Sequence, residues 1–217
     1  MHPGAFPRNP HAPGATSSAT LEAEGGPRWP RAGAGVIGVL VSGEGTNLQA
    51  LVDEGLPVVA VASNKPGVHA LDRARQASIP AAVFPLDDYA GRPERDEAMA
   101  DWLAGRGVAL VVCAGYMQLL TPGFLQRFTA VNVHPSLLPA FPGTTPIEDA
   151  LAAGVDETGV TVHFVDEGVD TGPVILQEPV PVRPGDTAAT LRERIHAVEH
   201  RLLPEAVRLY LAGVLRS

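Results

Sequence analysis

The chain has 217 residues, the size of one globular domain with room for a short appendage. It carries 16 basic and 24 acidic side chains, and the formal net charge of -8 at pH 7 disfavours binding to nucleic-acid phosphates or anionic membranes. The single cysteine, Cys113, rules out an internal disulfide and a thiolate zinc cage. Composition therefore predicts a globular protein of a reducing, cytoplasmic compartment.

Residues 1–34 show neither helical nor strand periodicity, because proline recurs from Pro3 to Pro30 among Ala, Gly and Ser. Such a segment cannot bury enough apolar surface to offset the entropy lost on ordering. We therefore predict a flexible N-terminal extension over residues 1–34 and a functional domain over residues 35–217.

From residue 36 onward, short apolar runs rich in Val and Ala alternate with segments of helical spacing. The runs are residues 36–41, 57–63, 81–84, 108–114 and 130–133, and the helical segments are 46–54, 68–76 and 92–105. This order predicts an α/β fold with a doubly wound, mostly parallel sheet covered by helices on both faces.

The second half of the chain has a different pattern. Residues 146–153 predict a helix, and residues 159–165 and 174–182 predict two further strands. Asp186 is expected to cap a C-terminal helix that is interrupted or ends near Pro204. The sheet is therefore expected to continue with mixed C-terminal strands.

A glycine-containing loop, Ser42-Gly-Glu-Gly-Thr-Asn47, lies between the first strand and the first helix. Glycines allow close approach of the backbone to a ligand, and the free N–H groups of a helix N-terminus favour an anion. The spacing is neither a dinucleotide fingerprint nor a P-loop. The loop is a candidate phosphate site, and a tight turn without a ligand explains it equally well.

Asn132 and His134 follow at the end of the fifth strand, before a proline-rich loop. Strand alternation puts both side chains on one side, where ligands bind in open α/β sheets. A histidine at such a place is more often structural than catalytic, but the Asn on the same face favours catalysis.

Two other patterns admit more than one interpretation. The acidic segment from Asp166 to Pro173 is either an exposed turn or a part of the site, and its spacing does not suit calcium. His196, Glu199 and His200 match a zinc-peptidase pattern, but Glu205 is the one carboxylate that follows as a further ligand. An amphipathic helix is the simpler interpretation.

Taken in order, several motifs together resemble the glycinamide ribonucleotide formyltransferase family. They are Val41-Ser-Gly-Glu-Gly-Thr-Asn-Leu-Gln49, Ser63-Asn-Lys65, Ala114-Gly-Tyr-Met117, Asn132-x-His-Pro-Ser-Leu-Leu-Pro139, Phe141-Pro-Gly143, Thr161-Val-His163, Asp170-x-Gly-Pro173 and Glu199-His200. The resemblance implies a Rossmann-like formyltransferase fold and transfer of a formyl group from N10-formyltetrahydrofolate to the amine of glycinamide ribonucleotide, a step of purine synthesis.

The resemblance also implies the roles of individual residues. The catalytic residues would be Asn132, His134 and Asp170, and the nucleotide-binding residues Gly45, Thr46, Asn47 and Glu199. The folate would contact Arg92, Met117, Gln118, Leu119, Leu120, Asn132, Val165, Asp166, Glu167, Gly168 and Val169. The folate is a co-substrate, and no metal is implied.

Three alternatives stay open beside this assignment. A formyltetrahydrofolate hydrolase would use water in place of the amine, and a noncatalytic module would bind the phosphoribosyl group without a folate. A methionyl-tRNA formyltransferase would need a tRNA-binding domain, which the acidic net charge disfavours. A homodimer is compatible with the sequence.

Overall fold

In a computed structural model of the chain, which describes residues 35–215, seven strands form one sheet in the order β3-β2-β1-β4-β5-β6-β7. The strands are β1 (Val36–Val41), β2 (Val58–Ser63), β3 (Ala81–Val83), β4 (Val108–Cys113), β5 (Thr129–His134), β6 (Glu157–Phe164) and β7 (Val174–Pro181). Strands β1 to β5 are parallel, whereas β6 and β7 run antiparallel to their neighbours. The predicted fold class and the mixed C-terminal strands are confirmed. The predicted extension, residues 1–34, lies outside the described residues.

The helices are α1 (Thr46–Asp53), α2 (His69–Gln76), α3 (Arg92–Ala104), α4 (Pro122–Arg127), α5 (Pro146–Ala153) and α6 (Ala188–Leu211). Helix α4 and a 3₁₀ turn at Leu86–Asp88 were not predicted, because six and three residues are too few to show a helical period. Between residues 35 and 215, no helix combines the length and the hydrophobicity needed to cross a membrane.

Apolar side chains cover both faces of the sheet. Val39 belongs to a buried cluster with residues of α1, α2, α5 and α6, and Leu40 belongs to a second cluster with residues of α3 and α4. Successive strand residues thus pack on opposite faces, as the period of two requires. Burial of each such side chain contributes about 1.5–3 kcal/mol, so the central strands form a rigid support for the loops at their ends.

The C-terminal helix differs from its prediction at both ends. Thr187 is the N-cap, and its hydroxyl accepts from the N–H of Thr190 at 3.2 Å. Asp186 instead pairs with Arg194, at 2.9 Å. The helix continues through Pro204 to Leu211, because it buries apolar residues both before and after the proline.

Candidate active site

The strand order places a crevice at the carboxyl ends of β1 and β4. The chain runs from β1 outward to β3 and then returns, so that β4 lies on the other side of β1. Open α/β sheets bind their ligands at such a switch point. Ser42 joins three loops here: its Oγ donates to Asn64 Oδ1 at 2.6 Å and accepts from the Met117 N–H at 3.0 Å.

A cavity of about 360 Å³ opens beside the ends of β4 and β5. Predicted site residues that line it are Met117, Gln118, Leu119, Leu120, Asn132, His134, Val165, Asp166, Gly168, Val169 and Asp170. Arg92 and Glu167 do not line it; both are exposed, at the start of α3 and in the loop between β6 and β7. Most of the predicted folate contacts therefore line one cavity, and Arg92 and Glu167 are the two that do not.

The cavity has an apolar wall that the protein leaves uncovered. Met117, Leu119 and Val169 expose 58%, 47% and 48% of their surface, which is high for large apolar side chains. Exposed apolar groups that converge on one concave surface are typical of a binding site for an organic ligand.

The structure brings Asn132, His134 and Asp170 together at one end of this cavity. Strand β5 carries Asn132 and His134, and Asp170 lies in the loop that joins β6 to β7. Asn132 Nδ2 lies 3.5 Å from Asp170 Oδ1, and His134 Nδ1 lies 3.4 Å from Asp170 Oδ2. We refer to these three residues as the polar trio.

The ring of His134 is held at both nitrogens. Its Nε2 donates to the carbonyl oxygen of Phe141 at 2.8 Å, and its Nδ1 faces the Asp170 carboxylate. Both neighbours are acceptors, so the doubly protonated imidazolium satisfies both of them. To donate to a substrate oxygen, His134 must give up its contact either with the Phe141 carbonyl oxygen or with the Asp170 carboxylate. The backbone of Phe141 has a φ of 53°, an uncommon left-handed conformation for a bulky residue.

Asp170 is held in its ionised form. Burial raises the pKa of this carboxyl group, but contact with His163, the hydrogen bond from Gly143 and the charge of His134 outweigh burial, so the pKa lies below its ordinary value. The Gly143 N–H donates to Oδ2 at 2.8 Å. Asp170 also has a φ of 55°, which aspartate tolerates better than most residues.

His163 is a residue of the site that the sequence analysis did not select. It pairs with Asn132 in the register of β5 and β6, and its Nε2 lies 3.2 Å from Asn132 Nδ2 and 3.6 Å from Asp170. Its Nδ1 donates to the carbonyl oxygen of Phe164 at 2.8 Å, which orients the ring so that Nε2 faces both the Asn132 amide and the Asp170 carboxylate. The motif Thr161-Val-His163 was recognised, but nothing in the sequence gives the register that aligns His163 with Asn132.

The glycine-containing loop, residues 42–47, which we call the phosphate loop, lies at the N-terminus of α1. Gly45 caps the helix with a φ of 72°, and a Cβ there would lie 2.6 Å from the Cβ of Ala70. Both observations require glycine. The next residue, Thr46, lines an open surface depression of about 360 Å³ together with Arg73 and His200.

Asn47 and Glu199 are 152 positions apart in sequence and in contact in the structure. Asn47 Nδ2 donates to Glu199 Oε2 at 3.0 Å, and both side chains are buried. Burial raises the pKa of Glu199, and the hydrogen bond from Asn47 partly offsets this rise. Asn47 Oδ1 is buried without a hydrogen-bond partner. Such a group is costly, and a ligand that donates to it would remove the cost.

The residues of the zinc-peptidase pattern are engaged elsewhere. His196 and His200 stack with their ring centroids 5.8 Å apart, while Glu199 contacts Asn47. Burial, and then nearby positive charges, lower the pKa of both histidines. In the described range 35–215, no three His, Cys, Asp or Glu residues are grouped so that they could hold a metal ion.

Cys113 offers no nucleophile to the cavity. It is buried in β4, and burial raises the pKa of its thiol to about 12. A thiol with such a pKa is almost entirely protonated at neutral pH. Among the polar side chains of the cavity, the trio is therefore the group best placed to act on a bound ligand.

Comparison with known proteins gives the class to which this fold and this site belong. Residues 36–207 match the formyl transferase family, and the chain belongs to this family.

The names of individual relatives are more specific than the description of the family. The chain is 42% identical over 188 residues to the phosphoribosylglycinamide formyltransferase of Haemophilus influenzae, covering 83% of this chain and 89% of that protein. It is 46% identical over 190 residues to the trifunctional purine biosynthetic protein adenosine-3 of Chironomus tentans, where it spans 83% of its own length and 14% of the relative's. The crystal structure of glycinamide ribonucleotide transformylase 1 from Symbiobacterium toebii superimposes with a TM-score of 0.82 at 48% identity, covering 84% of this chain and 90% of that one.

Proposed function

We propose that the protein transfers the formyl group of N10-formyltetrahydrofolate to the primary amine of glycinamide ribonucleotide, a step in the synthesis of purine nucleotides. The observation that carries this proposal is the convergence of Asn132, His134 and Asp170 on one apolar cavity, whose residue Met117 is hydrogen-bonded to Ser42 of the loop before α1. The names of the relatives point to the same reaction.

The reaction needs a stabilised oxyanion and a route for one proton. The amine nitrogen attacks the formyl carbon, a C–N bond forms, and an electron pair moves to the formyl oxygen. Collapse then breaks the bond from that carbon to N10 of the folate, while the amine loses a proton and N10 gains one. The products are the formylated nucleotide and tetrahydrofolate.

The polar trio supplies both needs. The Asn132 amide donates to the developing oxyanion with the N–H that faces Asp170 at 3.5 Å in the ligand-free site, and one such donor contributes about 10²–10³ in rate. His134 donates a second hydrogen bond from its ring, which Asp170 orients because the carboxylate lies 3.4 Å from Nδ1. Asp170 also accepts the proton of the amine through a water molecule and passes it toward N10, a contribution of about 10²–10⁴.

The two substrates occupy opposite sides of the trio in this proposal. The backbone of Gly45, Thr46 and Asn47 holds the phosphate, and Glu199 contacts the ribose or the glycinamide. The folate lies on the apolar wall, with its polar groups toward the loop from Val165 to Val169. Arg92 and Glu167 can contact it at its exposed end.

We also propose a cytoplasmic location and leave the homodimer as a prediction. Cys113 is the single cysteine of the chain and is buried, as a protein of a reducing compartment permits. Sedimentation equilibrium of the purified protein would measure its oligomeric state directly.

Steady-state kinetics with both substrates tests the function. We expect tetrahydrofolate release to require glycinamide ribonucleotide, with one formyl group recovered on the nucleotide for each tetrahydrofolate formed. Equal release without the nucleotide, with formate as the product, would identify a hydrolase. Nucleotide binding without turnover and without folate binding would identify a noncatalytic module.

A further inference from the structure

A completely buried ion pair lies behind the cavity, and the proposed mechanism does not use it. Arg95, on α3, donates from Nε and Nη2 to Asp96 Oδ1 at 2.9 and 2.7 Å. Both side chains are 0% exposed. Arginine is almost never buried without a partner, and here the partner is the adjacent residue in sequence.

This ion pair contacts the cavity wall at two points. Arg95 Nη1 donates to Gln118 Oε1 at 3.3 Å, and Asp96 Oδ2 accepts from the backbone N–H of Thr121 at 2.8 Å. Gln118 and Thr121 bracket the segment after β4 that carries part of the apolar wall. The position of this segment therefore depends on two buried charges of α3.

The contact with Arg95 also decides which way the Gln118 amide points. A guanidinium has donors and no acceptor, so the amide must present its oxygen to Arg95. One N–H of Nε2 donates to the Met117 carbonyl oxygen at 2.8 Å. The second N–H of the same nitrogen is then available to a ligand in the cavity that Gln118 lines.

Stability does not account for this arrangement. Replacing a buried ion pair by apolar groups of similar volume is often neutral or stabilising, so a buried pair needs another explanation. Positioning of neighbouring groups does account for the ion pair. The guanidinium of Arg95 is a rigid, planar group with several donors, so it orients both the Asp96 carboxylate and the Gln118 amide.

We propose that Arg95 is a positioning residue for the folate, an inference that rests on the proposed function. Together with Asp96 it holds residues 118–121 against α3, and it fixes Gln118 as a hydrogen-bond donor toward a carbonyl or carboxylate oxygen of the bound folate. Arg95 itself is fully buried and does not touch the ligand.

The double variant Arg95→Met/Asp96→Asn tests this role. Met keeps much of the volume of Arg95, and the amide oxygen introduced by Asp96→Asn can still accept from the Thr121 N–H, whereas the charge pair and the contact with Gln118 are lost. We expect the KM for N10-formyltetrahydrofolate to rise about tenfold, the loss of roughly one hydrogen bond. The KM for the nucleotide and kcat should stay within about twofold of wild type.

Two further variants separate positioning from stability. Gln118→Ala should raise the folate KM by a similar factor, and adding it to the double variant should raise it no further, because coupled residues are not additive. Met99→Ala, a control on the same helix in a fully buried site, should lower the melting temperature without changing the folate KM. If the double variant does not fold, Arg95→Lys keeps the charge beside Asp96 and loses the fork to Gln118, and its folate KM should still rise.

Several results would overturn the proposal. They are an unchanged folate KM in the charge-pair variants, an equal rise in both KM values, and a rise in Met99→Ala as large as in the double variant. If wild type transfers no formyl group, the proposed function fails separately. Equilibrium dialysis with tetrahydrofolate then decides the role of Arg95: weaker binding by the variant supports it, and unchanged binding or no binding by wild type contradicts it.

Discussion

The trio and the phosphate loop, which we call the trio end and the nucleotide end of the proposed site, are built from different parts of the chain. The trio end is formed by side chains: Asn132, His134 and Asp170 contact one another or nearby backbone groups. At the phosphate loop, the distinctive feature is the backbone, because Gly45 adopts a φ of 72° and the N-terminus of α1 presents its N–H groups.

Their polar groups also differ in how completely they are satisfied without a ligand. The oxygens of Asp170 both have partners, from Gly143 on one side and Asn132 on the other. Asn47 Oδ1, beside the phosphate loop, is buried and unpaired. The trio is therefore assembled without a ligand, whereas the proposed nucleotide end keeps an unpaired buried acceptor, a difference that mutations can test.

The largest effect is expected from His134→Ala, at the trio end. The change removes a donor to the oxyanion and the partner of Asp170, so kcat should fall about 10²–10⁴-fold. Both KM values should change little, because the side chain acts mainly in the transition state. Steady-state kinetics at saturating substrates measures this.

A near-normal kcat for this variant would remove His134 from the mechanism and with it the contrast between the two ends. The melting temperature of the same sample is the control, since His134 is buried and its loss also affects packing.

The sequence predicted the sheet well because its signals are local. Val- and Ala-rich runs separated by helical spacing fix the parallel order, and Asn132 and His134 fall on one side of β5 by alternation. The C-terminal helix shows the limit of such signals: Pro204 is a helix breaker locally, but burial on both sides of it prevails.

The parts of the site that could not be predicted depend on contacts between distant segments. The approach of His163 to Asn132 follows from the register of β5 and β6, and the contact of Arg95 with Gln118 follows from the packing of α3 behind the loop after β4. Neither register nor packing leaves a local pattern. Helix α4 was not predicted for a different reason: its six residues are too few to show a helical period.

Gly45→Ala tests the claim that the backbone forms the phosphate end. A Cβ at this position would lie 2.6 Å from Ala70 Cβ, and the φ of 72° strains any residue with a side chain. We expect a loss of about 1–3 kcal/mol of stability and a KM for the nucleotide about tenfold higher, with the folate KM unchanged. Thermal unfolding and steady-state kinetics measure the two effects.

Gly43→Ala is the matched control for stability in the same loop. A Cβ there meets nothing within 4 Å, so the melting temperature without ligand should hardly change. Equal destabilisation by both substitutions would show that the conformation of Gly45 is not special.

The smallest effect is expected from Glu199→Gln, which tests whether the buried polar groups of the nucleotide end are unfavourable without a ligand. Burial holds the folded-state pKa of Glu199 above its ordinary value. The stability that its protonated form contributes is therefore fully present below the unfolded-state pKa and is lost as pH rises through the folded-state pKa. Above the folded-state pKa, the ligand-free wild type carries a buried carboxylate that Gln would replace without charge. A gain of about 1 kcal/mol would raise the melting temperature by about 2–4 °C at this chain length.

This advantage of Glu199→Gln should shrink as pH falls through the folded-state pKa, because the wild-type side chain then becomes neutral as well. Glu205→Gln, on the exposed side of the same helix, is the matched control and should show no such dependence. A constant difference between pH 4 and pH 8 would mean that charge is not what distinguishes Glu199. The nucleotide end would then be as complete without its ligand as the trio end, and the unpaired Asn47 Oδ1 would need another explanation.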